Sequence, residues 1–351
     1  MSSILPLQRS EPGVTESSPG LLLSLLAGWL LFAGFLVPEL KRAGLPLRLS
    51  PAASLAGGVC ALVCGKAYFL LFNTFLFSQE GFSVLFRPDP LEFSFVGACA
   101  GFCLGIYLVG RFLSPGRNAA SLLDCAALPA GLLFACARFG QIFFGDLGLA
   151  EFSSLGLPDL ESGHFLARFP FAVEDSFGVW YLALCFWEAI LILLLLGLFF
   201  LLRRRHCAAF RSRPGLFFES LAYVLCALPF FLELTRLNSP DFYYVHVEQA
   251  LCALIMLLLL IRLLRRPVQP PVSGFRRFCP LLIFVLLLVL NGLMQYFMDK
   301  PWKLEGVLPQ GMFLSFNENL FWISFFTFLL TTFFLVVLYF FRLYKILRDS
   351  R

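Results

Sequence analysis

L-F-A-C-A-R-F-G-Q-I-F-F-G-D-L-G-L, residues Leu133 to Leu149, begins as an apolar helix and then turns polar. Arg138 interrupts the run, and Gly140, Gly145, Asp146 and Gly148 follow closely. A charge at the centre of a bilayer helix costs roughly 2.5–3.5 kcal/mol on insertion scales. Glycine in a helix interior costs about 1 kcal/mol more than alanine. Irregular backbone at membrane depth is tolerated where it lines a cavity. Two readings of the stretch follow. It is the wall of a polar site inside a membrane protein, or it is a helix end from which Arg138 snorkels to the headgroups.

Outward from this stretch the chain is apolar almost throughout. Of its 351 residues 59% are hydrophobic and 14% charged, and Phe alone occurs 44 times. Soluble domains do not have this composition. Apolar runs long enough to cross a bilayer recur, so the fold expected is an all-α polytopic membrane protein. The net charge of +5 does not indicate nucleic acid, because Lys and Arg gather at the ends of apolar runs and form no patch interleaved with aromatics. Most of the 11 Cys lie inside apolar runs, and Cys60/Cys64 and Cys99/Cys103 share helix faces. With no C-x-x-C and no nearby His they read as small packing residues, not as a metal site or a disulfide framework. No cofactor is expected. Glu11 and Glu16 accompany Arg9 near the start, so Leu21–Val37 reads as a retained span, not a cleaved signal.

Nine spans are expected, at 21–38, 51–76, 92–112, 119–144, 178–202, 215–235, 245–264, 278–298 and 318–341. Nineteen of the 27 Lys and Arg residues then follow the odd-numbered spans, the densest group being Arg203, Arg204, Arg205, Arg211 and Arg213. Only six fall on the opposite side. The positive-inside rule places the N-terminus outside and the C-terminus in the cytoplasm. The organisation expected is an extracytoplasmic segment 1–20, a seven-span core 21–266, a Pro-rich cytoplasmic linker 267–277, and a two-span extension 278–351 with a basic tail. The longer loops, 77–91, 145–177 and 299–317, then face outward. No internal repeat is found, which weighs against a transporter.

Within or beside the spans stand Lys66, Asp124, Arg138, Asp146, Glu188, Glu233, Arg236, Asp241 and Glu248. Ionisable groups at that depth are functional-site candidates by default. Glu233 and Arg236, three apart, share a helix face and form either a structural pair or part of a site. Glu188 has no charged neighbour in its own helix, so Arg138 or Lys66 must meet it. Lys66 is alternatively a snorkelling residue. Of the three His, His246 and His164 lie on the outer side and His206 in a basic cytoplasmic connection. A lone His at a helix end more often caps or faces solvent.

Taken in order, these segments resemble the prolipoprotein diacylglyceryl transferase family. The family signature is close to R-x-G-N-F-x-N-G-E, and here the run is R-F-G-Q-I-F-F-G-D, with Arg138, Gly140, Gly145 and Asp146 matching in type. K-R-A-G-L follows the first span, and G-K-A-Y-F-L-L-F-N covers Gly65–Asn73. E-F-S-F-V-G-A-C-A-G is similar to the family's S-F-H-G-G helix start, and C-F-W-E-A (Cys185–Ala189) stands where Q-L-Y-E-A is usual. F-F-L-E-L-T-R-L-N-S-P-D resembles R-F-x-x-E-x-x-R-x-P-D, and H-V-E-Q (His246–Gln249) follows where S-M-G-Q is expected. The resemblance covers roughly residues 20–266; the last two spans lie outside the usual seven-helix core. The sequence also departs from the pattern. The family's His falls on Val96, its signature Asn on Gln141 and Phe144, the Arg of R-F-x-x-E on Pro229, and the His of H-P-x-Q-L-Y-E on Leu182.

The resemblance implies transfer of a diacylglyceryl group from phosphatidylglycerol to the lipobox cysteine of a prolipoprotein, at the bacterial inner membrane. Such a reaction needs a cation for the phosphate, best a forked guanidinium, and a group that favours the thiolate. It also needs a site that opens to lipid but excludes water. Arg138, Asp146, Glu188, Glu233 and Arg236 are the expected catalytic set. Arg138, Gly140, Gln141, Gly145 and His246 are the expected substrate contacts, Asp146 and Glu188 serving to orient the arginines. A relative that binds lipid or a partner protein without catalysing transfer is the alternative.

Overall fold

Only helices and closed barrels satisfy the backbone of a chain in hydrocarbon, and helices are what these apolar segments form. The computed structural model describes residues 19–74, 76, 79, 81–86, 93–113, 119–144, 164–174, 180–235, 241–242, 245–266, 274–304, 309, 314–315 and 319–348. Its helices are α1 (Pro19–Ala43), α2 (Leu49–Phe72), α3 (Phe95–Leu113), α4 (Ala119–Gln141), α5 (Leu184–Arg205), the short α6 (Cys207–Ser212), α7 (Leu216–Leu232), α8 (Val247–Arg265), α9 (Gly274–Asp299) and α10 (Leu320–Arg348). Among the described residues nine helices, all but α6, are long and apolar enough to cross a membrane. Each coincides with one span placed from the sequence.

Several ends differ from the apolar pattern, each for a local reason. The second span stops at Phe72, because Asn73 turns its backbone N–H (3.2 Å) and side-chain amide (3.0 Å) back to the Phe69 carbonyl. The fifth starts only at Leu184, because Trp180–Leu182 (β2) pairs antiparallel with Ala172–Glu174 (β1). A second small ribbon joins β3 (Asp241–Phe242) to β4 (Val245–His246) just before α8. After Pro229, α7 tightens into a 3₁₀ turn at Glu233–Thr235.

The hub is α4, which packs against α1, α3, α5 and α7. The most extensively packed helix pair among the described residues is α2 with α3. There Gly97, Gly101 and Gly105 recur every fourth residue, and a Cβ on Gly101 or Gly105 would fall on the carbonyls of Cys60 and Ala56. Small residues at this spacing let transmembrane backbones meet, and Cys64, 2.6 Å from the same added Cβ on Gly101, is part of that small-residue seam. On the other side of α4, α7 pairs with α8, and α10 packs on both. Tyr223 of α7 stacks on Tyr339 of α10 with ring centroids 4.0 Å apart, and donates a hydrogen bond to the Leu335 carbonyl at 3.1 Å. Phe284, Phe328 and Tyr339 of the last two helices belong to the same buried cluster as Phe217 and Met256. Helix α9 begins at Gly274, inside the linker expected to run to 277; residues 267–273 and 1–18 lie outside the described set.

One end of the bundle collects the arginines. Glu39 accepts from Arg203 at 2.6 Å and Arg42 at 2.8 Å. Glu219 meets Arg262 and Arg266, both at 2.9 Å. Asp124 accepts the backbone N–H groups of Gly215 (2.6 Å) and Phe218 (2.8 Å), capping α7 from a neighbouring helix. Arg342 donates to the Arg266 carbonyl at 3.0 Å. These contacts bring the ends of α1, α5, α8 and α10 together with the starts of α4 and α7. The alternation of basic connections along the sequence requires that arrangement.

Candidate functional site

At the opposite end, α4 finishes and α5 begins side by side. Arg138 sits in the last turn of α4 and Glu188 near the start of α5, so each charge has the sign its own helix dipole favours. The Arg138 Nε lies 2.9 Å from Glu188 Oε2, and the two side chains are 0% and 1% exposed. That contact is an ion pair without an aligned N–H bond, since Nε has no hydrogen-bond partner by direction. Nη1 donates to Gln141 Oε1 at 2.8 Å, three residues on along the same helix. The guanidinium carbon stands 3.6 Å above the ring of Phe95, the first residue of α3, close enough for a cation–π contact. Nη2 is buried and has no hydrogen-bond partner among the described residues.

Arg138 therefore does not snorkel. It is the largest fully buried side chain described, and it is fixed on three sides: a carboxylate, an amide and an aromatic face. Lys66 does not snorkel either. It is 4% exposed, with Nζ 5.3 Å from the centre of the Phe93 ring. Glu188 pairs with Arg138, one of the two partners expected for it.

The other expected residues divide. Gln141 joins the guanidinium. Gly140, expected to cradle an anion, packs closely on α1: a Cβ there would lie 2.8 Å from Ser24 Cβ and 2.9 Å from Leu21 Cδ1. Glu233 is 1% exposed in the turn after α7. His246 occupies the position before α8 in extended conformation, without a side-chain capping bond, and is paired in register with Asp241. Gly145, Asp146 and Arg236 lie outside the described residues, so the expected Glu233–Arg236 pair does too.

The same end gathers polar groups that were not assigned to the site. Tyr68 of α2 donates to the Val247 carbonyl at 2.8 Å, tying α2 to the first turn of α8. Glu248 in that turn is 7% exposed, and Gln249 donates to the Phe230 carbonyl at 2.8 Å, satisfying a carbonyl at the fraying end of α7. Cys99 is within electrostatic range of both Arg138 and Glu248. Phe95 is the residue sequence reasoning missed most clearly, since nothing in an apolar run marks a ring that lies under a cation. Val96 and Pro229 are buried at the same end, Val96 in the main hydrophobic cluster.

Chemically, a buried guanidinium with a fixed orientation, whose Nη2 has neither a hydrogen bond nor an ion pair among the described residues, presents donors to a single acceptor group of a ligand. A phosphate or carboxylate oxygen fits that donor set best. Among the described residues no group of His, Cys, Asp and Glu is placed to hold a metal ion. No protein-family model matches the chain, and neither a curated protein nor a solved structure matches it.

Proposed function

We propose that this membrane protein binds the phosphate of an anionic phospholipid at Arg138 and transfers the diacylglyceryl group of phosphatidylglycerol to the lipobox cysteine of a prolipoprotein. The observation that carries this reading is the Arg138 Nη2, buried and without a hydrogen-bond partner among the described residues while the rest of the guanidinium is held by Glu188, Gln141 and Phe95. A headgroup oxygen at Nη2 completes the set. In the transfer the thiol sulfur bonds to the glyceryl carbon, the bond from that carbon to the phosphate oxygen breaks, and glycerol phosphate leaves. Arg138 stabilises the charge that grows on the leaving phosphate, and Glu188 holds the guanidinium in place. The thiol proton goes to a base, for which Glu233 and Glu248, both buried at this end, are the nearest chemical type. Because Arg138 has no exposed surface, a lipid reaches it only when a covering element moves. In this reading the chain sits in the bacterial inner membrane, the N-terminus outside and the arginine-rich end in the cytoplasm.

A second reading has its own observation. Val96 and Pro229 put apolar side chains where the family carries a His and an Arg, which favours a lipid- or partner-binding relative without transfer. Complementation of a bacterial strain depleted of its own transferase separates the two. The transferase reading expects growth with the wild-type chain and none with Arg138→Lys, which keeps the charge but loses the fork. Failure of the well-expressed wild-type chain would leave the binding reading.

A further inference from the structure

Helix α5 has an outward face that the reading above does not use. Leu191, Leu194, Leu198 and Leu201 are all exposed and follow at spacings of three and four, so they form one stripe down the helix. The next step of four reaches Arg205, also exposed. A neighbouring stripe runs through Leu193, Gly197 and Phe200 to Arg204, which is exposed as well. Gly197 leaves a notch in it, since a Cβ there would meet nothing within 4 Å. Arg204 lies back over this stripe, its guanidinium carbon 4.8 Å from the centre of the Phe200 ring. Arg203, by contrast, turns inward to Glu39. Just past Arg205 the short α6 begins, held by buried Ala209 and Phe210. Its Cys207, Ala208, Arg211 and Ser212 line an open cleft of about 580 Å³. The described carboxylates of this end, Glu39, Asp124 and Glu219, are taken by Arg42, Arg203, Arg262, Arg266 and two backbone N–H groups. Among the described residues Arg204, Arg205 and Arg211 have no carboxylate partner.

Arginines at the end of a span are ordinary in a membrane protein. Two adjacent arginines, each ending its own apolar track and neither neutralised by the chain, ask for a matching ligand. A guanidinium fork binds a phosphate through paired N–H bonds. Neighbouring residues of a helix point about 100° apart, so Arg204 and Arg205 suit two phosphates better than one. Each track offers an acyl chain a surface, and the notch at Gly197 lets a chain lie against the α5 backbone. The cleft at Arg211 gives room to the polar bridge between the phosphates. A soluble dianion would leave both tracks unused, and a lipid with one phosphate would leave a guanidinium unneutralised.

We propose that the outward face of α5 and the start of α6 bind a phospholipid with two phosphates, of the cardiolipin type, in the leaflet at the arginine-rich end. This assignment is independent of any transfer activity and of Arg138, which lies at the opposite end. Native mass spectrometry of the purified full chain, released from micelles holding equal amounts of cardiolipin and phosphatidylglycerol, tests it. The wild-type chain should keep cardiolipin in excess. Arg204→Gln/Arg205→Gln should cut cardiolipin retention about tenfold, the effect of losing charge-assisted phosphate contacts. Gly197→Leu, which fills the notch and changes no charge, should cut it as well. These α5 positions are exposed, so folding does not depend on them. Lys41→Gln/Arg265→Gln removes the same charge from exposed positions at the same end and should leave retention unchanged, as should Arg138→Met/Glu188→Leu. Equal retention of phosphatidylglycerol by the wild-type chain would overturn the two-phosphate assignment. Unchanged retention in either α5 variant, or an equal loss in the Lys41/Arg265 control, would leave only a general attraction between basic residues and acidic lipid, and the proposal fails.

Discussion

Arginine meets carboxylate at both ends of this bundle, and the two ends use the pairing differently. At the arginine-rich end the guanidinium side stays wet: Arg203, Arg262 and Arg266 are 25%, 64% and 21% exposed beside Glu39 and Glu219. At the other end Arg138 and Glu188 are 0% and 1% exposed. Exposed pairs contribute about 0–1 kcal/mol and are screened by salt. A buried pair loses several kcal/mol of hydration per ion, so packing alone does not call for it. The first end therefore records how the helices alternate, while the second records a requirement for charge inside. The partner count points the same way, because Glu219 is met by two arginines whereas Arg138 Nη2 has no partner among the described residues.

That contrast is easiest to break at Glu188. Glu188→Ala leaves the buried guanidinium without its counter-charge and should destabilise the protein by about 3–5 kcal/mol, read as lost folded yield or a large fall in Tm. Arg138→Met combined with Glu188→Leu removes both charges and should recover most of that stability. If the double variant is as unstable as Glu188→Ala, the pair is a structural keystone and not a retained functional cost.

A packing change gives the next largest effect. Gly101→Val drives a side chain onto the backbone carbonyl of Cys60 and should cost about 1–3 kcal/mol by forcing α2 from α3. Since α3 supplies Phe95, ligand retention should fall with it. Stability lost with binding intact would show that the seam and the site are independent.

At the wet end the effects shrink. Glu219→Gln weakens the hold on Arg262 and Arg266 and should cost about 1–2 kcal/mol, less at high salt. Arg42→Ala, which removes a side chain 70% exposed, should stay within about 0.5 kcal/mol. A cost for Arg42→Ala matching that for Glu188→Ala, by the same thermal assay, would erase the distinction between the two ends.

Much of this architecture was legible in the sequence because hydropathy and charge report directly on what each segment faces. Nine apolar runs became nine helices, and the basic connections met at one end. The Arg138–Glu188 pair was legible for a simple reason: Glu188 had no charged neighbour in its own helix and so had to reach another. What hydropathy does not encode is which helices touch. Phe95 under the guanidinium, the burial of Lys66 and the close approach of Gly140 to α1 are all products of tertiary packing. Likewise an expected helix start at 178 gave way to the β1–β2 ribbon, a pairing between segments that an apolar pattern cannot announce. Residues 278–351 read as an appendage by their linker, yet Tyr339 and Phe328 pack into the same cluster as α7 and α8.

Lipid retention measured by native mass spectrometry tests the role of Arg138 most directly. The wild-type chain, released from mixed micelles, should keep phosphatidylglycerol in preference to phosphatidylcholine, and the folded Arg138→Met/Glu188→Leu variant should lose that preference. An unchanged preference in that variant would remove Arg138 from headgroup recognition.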